Sequence, residues 1–354
     1  MVDDDTGAKP PTIYDVAAAC GVAPSTVSRA FSRPGRVAAA TAARIHEVAE
    51  QMGYRSNPFA QALQGSRTKL VALVASDLTN PFFFEIIRGA ERAAAEQDYT
   101  LLVADVNEST EVERQALDRT AGIVEGIVLA TSRLSDTSIR AIARRQPAVV
   151  LNRVVTDVPS VVTDNGRGMR RAVEHLAELD HRTITYLAGP EASWADGMRW
   201  RAAQEAGHEL GLRVRRLGPF APTIDGGRAA ARAFAEARTT AVVAYNDLIA
   251  IGFMQTVQSW GVAVPGDVSV VGFDDIFGAD FCSPALTTVA APLAALGKHA
   301  VTMLVEQLST VGLRGARTVV PRRPALLPAA LRVRESTGPR PRRQRAWTPT
   351  PPAG

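Results

Sequence analysis

Three short hydroxyl side chains and one arginine follow one another closely in the segment PSTVSR, residues 24–29. Thr26 and Ser28 can bind phosphate oxygens, and the forked guanidinium of Arg29 can reach the acceptor edge of a guanine. A lone arginine on a small helix is more often simply solvated. Here it follows the spacing D-V-A-x-x-x-G-V, which favours a role in contacting DNA.

Short amphipathic helices must position this segment. Thr12 followed by Asp15 is typical of a capping-box helix start, and Gly21 supplies the turn after that helix. Pro24 suits the first turn of a second helix, and a third helical pattern covers residues 40–52. The sequence therefore predicts a helix-turn-helix. We expect its core to contain Ile13, Val16, Ala17, Cys20, Val27, Ala30, Ile45, Val48, Ala49 and Met52.

Residues 57–64, NPFAQALQ, form a separate short helical pattern. Asn57 is a good N-cap, Pro58 a good first residue, and Gly65 a good stop. Two turns of helix are too short to persist alone in water. We therefore expect a segment that is helical only when it packs against something, with a linker helix packed on the following domain as the alternative.

From residue 69 onward, short apolar runs alternate with longer amphipathic stretches. The runs are rich in branched residues, as strands buried on both faces of a parallel sheet are. About 265 residues suit two doubly wound lobes with a cleft between them. The strand-like runs are LVALVAS, LLVADV, GIVLAT, AVVLN, TITYLAG, AVVAYN and VSVVGFD.

Charge is unevenly distributed along the 354 residues, whose total is +4. Residues 1–69 sum to +2 and residues 314–354 to +9, which leaves −7 for the middle of the chain. A basic end and an acidic body fit a protein that touches DNA at one end. The acidic N-terminus lacks a secretory signal, no apolar run approaches membrane-span length, and the cysteines (Cys20 and Cys282) are far apart, so we expect a cytoplasmic protein.

The patterns of common enzymes are not found in the sequence. GRGMRR at 166–171 lacks the third glycine of a dinucleotide-binding loop, and neither a P-loop nor a G-x-S-x-G elbow occurs. The five histidines have no metal-ligand spacing, and we expect His175 and His181 at the surface. The sequence thus predicts a protein that is not an enzyme and that holds neither a metal ion nor a cofactor.

The segment DVAAACGVAPSTVSRAF closely resembles the headpiece signature of the LacI/GalR family of transcriptional regulators. The resemblance continues through VAAATAARIHEVAEQMGYRSNP and into the body at NPFFFEIIRGAE, GPEASWADGMRWRAA, AYNDLIAIG and VSVVGFDD. It implies an all-α helix-turn-helix headpiece followed by two doubly wound α/β lobes, like those of type I periplasmic binding proteins. It also implies a regulator, in most cases a repressor, whose operator affinity a sugar or sugar derivative controls allosterically.

Site residues carry over from the family by position. Major-groove readers correspond to Pro24, Ser25 and Arg29, phosphate contacts to Thr26 and Ser28, and the minor-groove wedge of the hinge helix to Leu63. The predicted DNA-binding set is Thr12, Pro24, Ser25, Thr26, Ser28, Arg29, Asn57 and Leu63. The predicted effector-binding set is Phe82, Phe83, Ser132, Asn152, Trp194, Arg199, Phe220, Asn246 and Asp274.

Several alternatives remain at this point. Trp194 and Phe220 could be ordinary core residues, and Asp274 beside Asp275 could be a helix-start pair. Ser193 replaces an arginine of the family's purine sensor, which disfavours a purine but leaves a nucleoside possible. Ala23 and Ala38 replace usual helix caps, a loss of roughly 1 kcal/mol each. The competing function is a sugar-binding receptor or enzyme with a degenerate headpiece.

The predicted organisation has four parts. A headpiece spans residues 1–56, a hinge helix and linker 57–68, an effector-binding and dimerisation domain 69–336, and a disordered basic tail 337–354. Chain crossings between the two lobes are expected near residues 165, 291 and 325. The predicted partners are a near-palindromic double-stranded DNA operator, a carbohydrate effector and a second copy of the chain. The leucine heptads of tetrameric family members have no counterpart here, so the resemblance implies a homodimer that does not contact membranes.

Overall fold

The computed structural model describes residues 11–32, 35–54, 67–311 and 323–342. The chain divides into two compact units: the N-terminal unit ends at Lys69 and also takes in Gly122–Glu125, and the second contains Leu70–Ala121 and the residues from Gly126 onward. Helices build the N-terminal unit, whereas strands and helices alternate in the second around two six-stranded sheets. The fold class expected from the sequence, an all-α headpiece and two α/β lobes, is confirmed.

The described residues of the N-terminal unit contain three helices, α1 (Ile13–Cys20), α2 (Pro24–Ser32) and α3 (Ala39–Gln51). Thr12 begins the first, and both its N–H and its hydroxyl donate to the Asp15 carboxylate at 2.7 Å. Gly21 ends that helix with a left-handed φ of 61°, which a glycine adopts without strain. The predicted start and turn of the helix-turn-helix are therefore present.

The core of the headpiece is small and apolar. Ala38 stands at the N-cap of α3, and because its methyl group cannot accept a hydrogen bond, that helix has no side-chain cap. Met52, expected in the core, is instead 36% exposed because α3 ends at Gln51 and the helical spacing no longer applies beyond it. The buried residues are Val16, Ala17, Cys20, Val27, Ala30, Ile45 and Ala49.

The first lobe contains a fully parallel sheet with strand order β11-β5-β4-β3-β1-β2. Its strands are rich in branched residues and, apart from β2 and β11 at the two edges, are largely buried on both faces. The strands are β1 (Leu70–Ala75), β2 (Thr100–Asp105), β3 (Gly126–Ala130), β4 (Ala148–Leu151), β5 (Ser160–Thr163) and β11 (Ala325–Leu327). The helices are α4 (Phe82–Ala95), α5 (Thr110–Thr120), α6 (Asp136–Arg145) and α11 (Leu293–Val311).

The second lobe repeats this design with strand order β12-β10-β9-β8-β6-β7. All its pairs are parallel except β10 with β12, which is antiparallel. The strands are β6 (Thr183–Leu187), β7 (Arg213–Leu217), β8 (Ala241–Ala244), β9 (Ser269–Asp274), β10 (Thr287–Ala290) and β12 (Ala330–Arg332). The helices are α7 (Asn165–Glu178), α8 (Trp194–Glu209), α9 (Ile224–Ala235) and α10 (Asp247–Ser259).

The chain passes between the lobes three times: from β5 to α7, from β10 to α11, and from β11 to β12. Asp164 lies at the first passage, where its carboxylate caps α7 by accepting the Arg167 N–H at 2.9 Å. Its own N–H donates to the Leu327 carbonyl at 2.8 Å, which ties the first passage to the third. The two lobes are therefore joined at neighbouring points.

The C-terminal residues after β12 pack on the second lobe. The Gly338 N–H donates to the Ser269 hydroxyl at 3.1 Å, and the Arg340 N–H donates to the Leu179 carbonyl at 2.9 Å. A disordered tail that begins at residue 337 is therefore wrong for residues 337–340. Backbone hydrogen bonds hold them despite their proline- and arginine-rich composition.

The two histidines expected at the surface hold this segment. His181 is fully buried, with Nδ1 2.8 Å from the Thr240 hydroxyl and Nε2 3.0 Å from the Ser269 hydroxyl. His175 is half-buried, and its Nε2 lies 2.9 Å from the Thr337 hydroxyl. The surface prediction is wrong because the C-terminal segment covers both rings.

Burial lowers the pKa of His181 in the folded protein, so the unfolded chain binds a proton more readily. Stability from this residue is therefore complete above pH 6.5 and falls as the pH drops below it, by up to about 1.4 kcal/mol per pH unit. Chemical unfolding of wild type and His181→Gln at several pH values between 7.5 and 5.5 measures this effect. The free energy of unfolding should fall less steeply with decreasing pH in the variant than in wild type. The matched control is His208→Gln, at an exposed position of α8. Equal slopes for wild type and His181→Gln would contradict this account.

Candidate functional site

A polar cavity with about 350 Å³ of empty space lies between the two lobes. That space includes open solvent at the mouth of the cavity, and clefts between lobes are frequent binding sites for small ligands. Residues of both lobes line it, most of them in the loops that follow the carboxyl ends of parallel strands, where open α/β sheets bind their ligands. The lining residues are Ser76, Asn80, Phe82, Phe83, Glu108, Thr131, Arg133, Asn152, Arg199, Pro222, Tyr245, Asn246 and Asp274.

Left-handed backbone recurs among these lining residues. Glu108, Thr131 and Asn152 follow strands of the first lobe with φ values of 56°, 58° and 62°. Asp274 ends β9 with φ 117°, a value that side-chain-bearing residues rarely adopt. Such conformations persist only where surrounding contacts fix them, and they concentrate at functional sites.

Arg199 of α8 is the central side chain of the second-lobe wall and is only 2% exposed. Its Nε donates to the Asn165 side chain at 2.8 Å, its Nη1 to the Tyr245 carbonyl, and its Nη2 to the Asp274 carboxylate at 3.2 Å. The guanidinium carbon lies 3.5 Å from the centroid of the Phe273 ring. The group is thereby held in a single orientation at the cavity wall.

Two carboxylates are buried in this part of the second lobe, and one of them, Asp274, contacts the arginine. Burial raises the pKa of Asp274 to about 6, although the adjacent Arg199 opposes the rise. Burial also raises the pKa of Asp247 well above its usual value, and Asp274 adds to the effect. Asp247 accepts hydrogen bonds from the Ile276 N–H, at 2.9 Å, and from the Thr288 hydroxyl. It therefore supports the loop that carries Asp274.

The first-lobe wall offers a second ion pair. The Arg133 guanidinium contacts Glu108 through Nε at 2.6 Å and through Nη2 at 3.1 Å. Next to it, the hydroxyls of Ser76 and Thr131 lie 2.6 Å apart. Hydroxyls and paired charges together present both donors and acceptors to the cavity.

Asn152 and the aromatic residues complete the lining. The Asn152 side chain is buried, and its Oδ1 has no hydrogen-bond partner within the part of the chain that the structure describes. Such an oxygen is costly to leave unpaired, so a ligand donor is its natural partner. Phe82 and Phe83 are buried at the start of α4 with ring centroids 5.1 Å apart. The Tyr245 hydroxyl lies 3.0 Å from that of Ser193.

Six of the nine residues predicted to bind effector line this cavity: Phe82, Phe83, Asn152, Arg199, Asn246 and Asp274. The other three do not. Ser132 is buried and accepts the Leu134 N–H at 3.2 Å, Trp194 is half-buried at the start of α8, and Phe220 packs against the apolar core. Asn246 also caps α10 by accepting the Ile249 N–H at 3.0 Å.

Sequence reasoning missed Ser76, Asn80, Glu108, Thr131, Arg133, Pro222 and Tyr245. The available signal was position, because four of them, Ser76, Glu108, Thr131 and Arg133, lie within three residues of a first-lobe strand end. Arg133 takes the place in the wall that the prediction gave to its neighbour Ser132.

The predicted DNA-contacting face of α2 points outward. Ser25 and Arg29 are exposed and Pro24, Thr26 and Ser28 partly exposed, whereas Val27 and Ala30 are buried on the opposite side. Thr12 caps α1, as described above. The predicted contacts Asn57 and Leu63, and the hinge at 57–64, lie outside the described residues.

Two family models match the chain. Residues 12–57 match the lacI family of bacterial regulatory proteins, and residues 173–337 match a periplasmic binding protein-like domain. In the described ranges, no helix combines the length and hydropathy needed to cross a membrane.

Individual relatives are similar over most of the chain. The transcriptional regulator DegA of Bacillus subtilis is 32% identical over 93% of this chain and 98% of its own. The transcriptional repressor CytR of Escherichia coli K12 is 32% identical over 84% of this chain and 89% of its own.

Solved structures agree with these relatives. The lac repressor dimer bound to operator and an anti-inducer aligns with TM-score 0.79, 27% identity and coverage of 93% of this chain and 100% of that one. The regulator CelR in complex with cellobiose aligns with TM-score 0.68, 29% identity and coverage of 92% and 99%. The chain therefore belongs to the lacI family of bacterial regulatory proteins. It is a DNA-binding transcriptional regulator.

Proposed function

We propose that this regulator is a repressor that binds a specific operator and that a sugar, or a compound derived from one, controls its affinity for DNA. The observation that carries the proposal is the polar cavity between two lobes in a chain that also carries an outward-facing α2. One part of the chain is thus suited to DNA and another to a small ligand.

The DNA-binding half of the proposal rests on α2. Exposed Arg29 offers a long bidentate donor for guanine, and the partly exposed Thr26 and Ser28 offer short hydroxyls for phosphate oxygens. A homodimer would present two such helices, so the operator is expected to be near-palindromic, with half-sites spaced to match them. The related lac repressor was crystallised as a dimer on its operator, which supports this arrangement.

The chemistry of the cavity supports a carbohydrate effector. Hydroxyl groups both donate and accept, and the lining offers carboxylates, guanidiniums, amides and hydroxyls within a few residues of one another. The rings of Phe82, Phe83 and Tyr245 provide apolar surface for the carbon face of a sugar. The related CelR was solved with cellobiose.

Control of DNA affinity follows if the ligand contacts both lobes. A ligand shifts a two-state equilibrium only through contacts that differ between the states. Lining residues come from each lobe, with Asn152 on one side and Asp274 on the other. Closure around a ligand would alter the spacing of the two first lobes in a dimer, and with it the geometry of the predicted hinge.

Replacing Arg29 by alanine tests the DNA half. The variant should lose about 1–3 kcal/mol of specific operator affinity and become indifferent at one base position per half-site, because one bidentate contact disappears. Mobility-shift titrations on the DNA upstream of the protein's own gene, at fixed salt concentration, measure both effects. Arg36→Ala, at an exposed position outside the three helices, controls for the loss of one charge. If Arg29→Ala bound the operator as tightly and selectively as wild type, α2 would not be the recognition helix.

A further inference from the structure

Two ion pairs, one from each lobe, face the same cavity. Glu108 with Arg133 lies in the first lobe, and Asp274 with Arg199 lies in the second. The other lining side chains are uncharged. Each guanidinium of the wall is thus matched by a carboxylate of the wall, and the formal charges of the described lining cancel.

We propose that Glu108 sets the charge selectivity of the cavity, which admits neutral polyhydroxylated effectors and excludes phosphorylated or carboxylated ones. This inference deepens the proposed function and rests on it. An arginine in a sugar site could instead have served as an anchor for a phosphate group. Here the arginine of the first lobe is already occupied.

The Glu108–Arg133 contact is close and two-pronged. Nε lies 2.6 Å from one carboxylate oxygen and Nη2 3.1 Å from the other. The Arg133 side chain is only 12% exposed, whereas that of Glu108 is 34% exposed. The pair occupies the Nε–Nη2 edge of the guanidinium, one of the two edges on which a phosphate could bind in a bidentate manner, and the more accessible partner is the negative one.

The backbone fixes both partners. Asn107 and Glu108 adopt left-handed φ values of 47° and 56°, and the Glu108 N–H donates to the Ser76 carbonyl at 2.5 Å. On the other side, the Arg133 N–H donates to the buried Glu113 carboxylate at 3.2 Å. The pair is therefore built into two strand-end loops and is not a chance contact of long surface side chains.

The second pair does not offer an alternative anchor. Arg199 is buried, and its nitrogens already donate to Asn165, Tyr245 and Asp274. An anionic ligand would therefore meet two wall carboxylates whose arginine partners are already engaged, so the wall offers no additional positive charge to stabilise it. A neutral polyol meets no such penalty and can use the remaining acceptor and donor sites of both pairs.

Inorganic phosphate is a direct probe of this selectivity, because it needs no knowledge of the natural effector. Melting temperatures of the full-length protein would be recorded at pH 7.5 against phosphate, with sodium chloride holding the ionic strength constant. Glu108→Gln should gain a saturable, phosphate-dependent stabilisation, with apparent affinity at least about tenfold above wild type, since a ligand that binds the folded state raises its stability. The double variant Glu108→Gln with Arg133→Gln should lose that gain.

The matched control is Glu111→Gln, which removes one carboxylate from an exposed pair on α5 and should behave like wild type. Glu108→Ala serves as a second variant should the glutamine variant fold poorly. Equal phosphate affinity in wild type and Glu108→Gln, or no response in either Glu108 variant, would overturn the proposal. Phosphate bound by the headpiece would appear equally in all variants. Because no DNA is present, this result is separate from the operator titrations that test the proposed function.

Discussion

Arg199→Met is expected to lower the free energy of unfolding by about 3–5 kcal/mol and to abolish the effector's influence on operator binding. The substitution leaves the Asp274 carboxylate buried without its partner, and it removes donors to Asn165 and to the Tyr245 carbonyl. Denaturant unfolding at pH 7.5 measures the first effect, and operator titration with and without the effective sugar measures the second.

A second substitution separates these two effects. In Arg199→Met with Asp274→Asn, the orphaned charge is gone, so much of the stability should return while the effector response stays lost. Asparagine tolerates the left-handed backbone at position 274 better than most residues. The control Arg228→Met, in an exposed pair on α9, should change stability by less than about 1 kcal/mol. A stable Arg199→Met protein with a normal effector response would show that this arginine does not organise the cavity.

Gly297→Ala is expected to destabilise the first lobe by about 3 kcal/mol. Helices α4 and α11 cross so closely that a Cβ at Gly297 would lie 1.9 Å from the Ile86 carbonyl oxygen. A Cβ at Gly89 would in turn lie 2.0 Å from the Ala294 carbonyl oxygen. Backbone atoms cannot move aside as a flexible side chain can, so the helices must separate.

The matched control is Gly197→Ala in α8, where a Cβ would meet nothing within 4 Å. That substitution should stabilise the protein by about 0.5–1 kcal/mol, because alanine restricts the unfolded chain and favours helix. Both changes should appear as shifts of the denaturant midpoint. The slope of the unfolding free energy against denaturant concentration should stay unchanged. A Gly297→Ala midpoint equal to that of wild type would mean that the helices do not approach each other this closely.

The sequence predicted the elements of this fold well because local signals and burial agreed. The capping pair Thr12 and Asp15, the turn at Gly21, and the runs of branched residues in the lobes each specify their structure over a few residues. Cavity residues such as Arg199 and Asp274 came from family position, and the structure places them side by side although they are 75 residues apart.

The residues of the first-lobe wall were predicted only in part. Ser132 was predicted to line the cavity, but the left-handed φ of 58° at Thr131 turns the chain after β3. Ser132 came from family position, but Thr131 and Arg133 on either side of it reach the cavity instead. The pairing of Arg133 with Glu108 joins two loops 25 residues apart in a chain with 40 basic and 36 acidic residues. That partner is selected only by the arrangement of the parallel strands, which brings the ends of β2 and β3 to the same edge of the sheet.

The burial of His181 could not be predicted for a similar reason. Its neighbours Asp180 and Arg182 give the segment the composition of a surface turn. What covers the ring is the backbone of Gly338, which lies 157 residues further along the chain. Contacts of this kind depend on the final packing of the second lobe and leave no local signature.

The three passages between the lobes also bear on how the protein is made. Helix α11 and strand β11 belong to the first lobe, yet they are synthesised after most of the second. During translation the apolar surface of α4 around Gly89 therefore stays uncovered until residue 311 has left the ribosome, and the sheet stays unfinished until residue 327. The second lobe likewise waits for β12 and the segment that covers His181. Neither lobe can complete its folding on the nascent chain before the residues up to Gly338 have emerged, so both leave apolar surface uncovered until that point of translation.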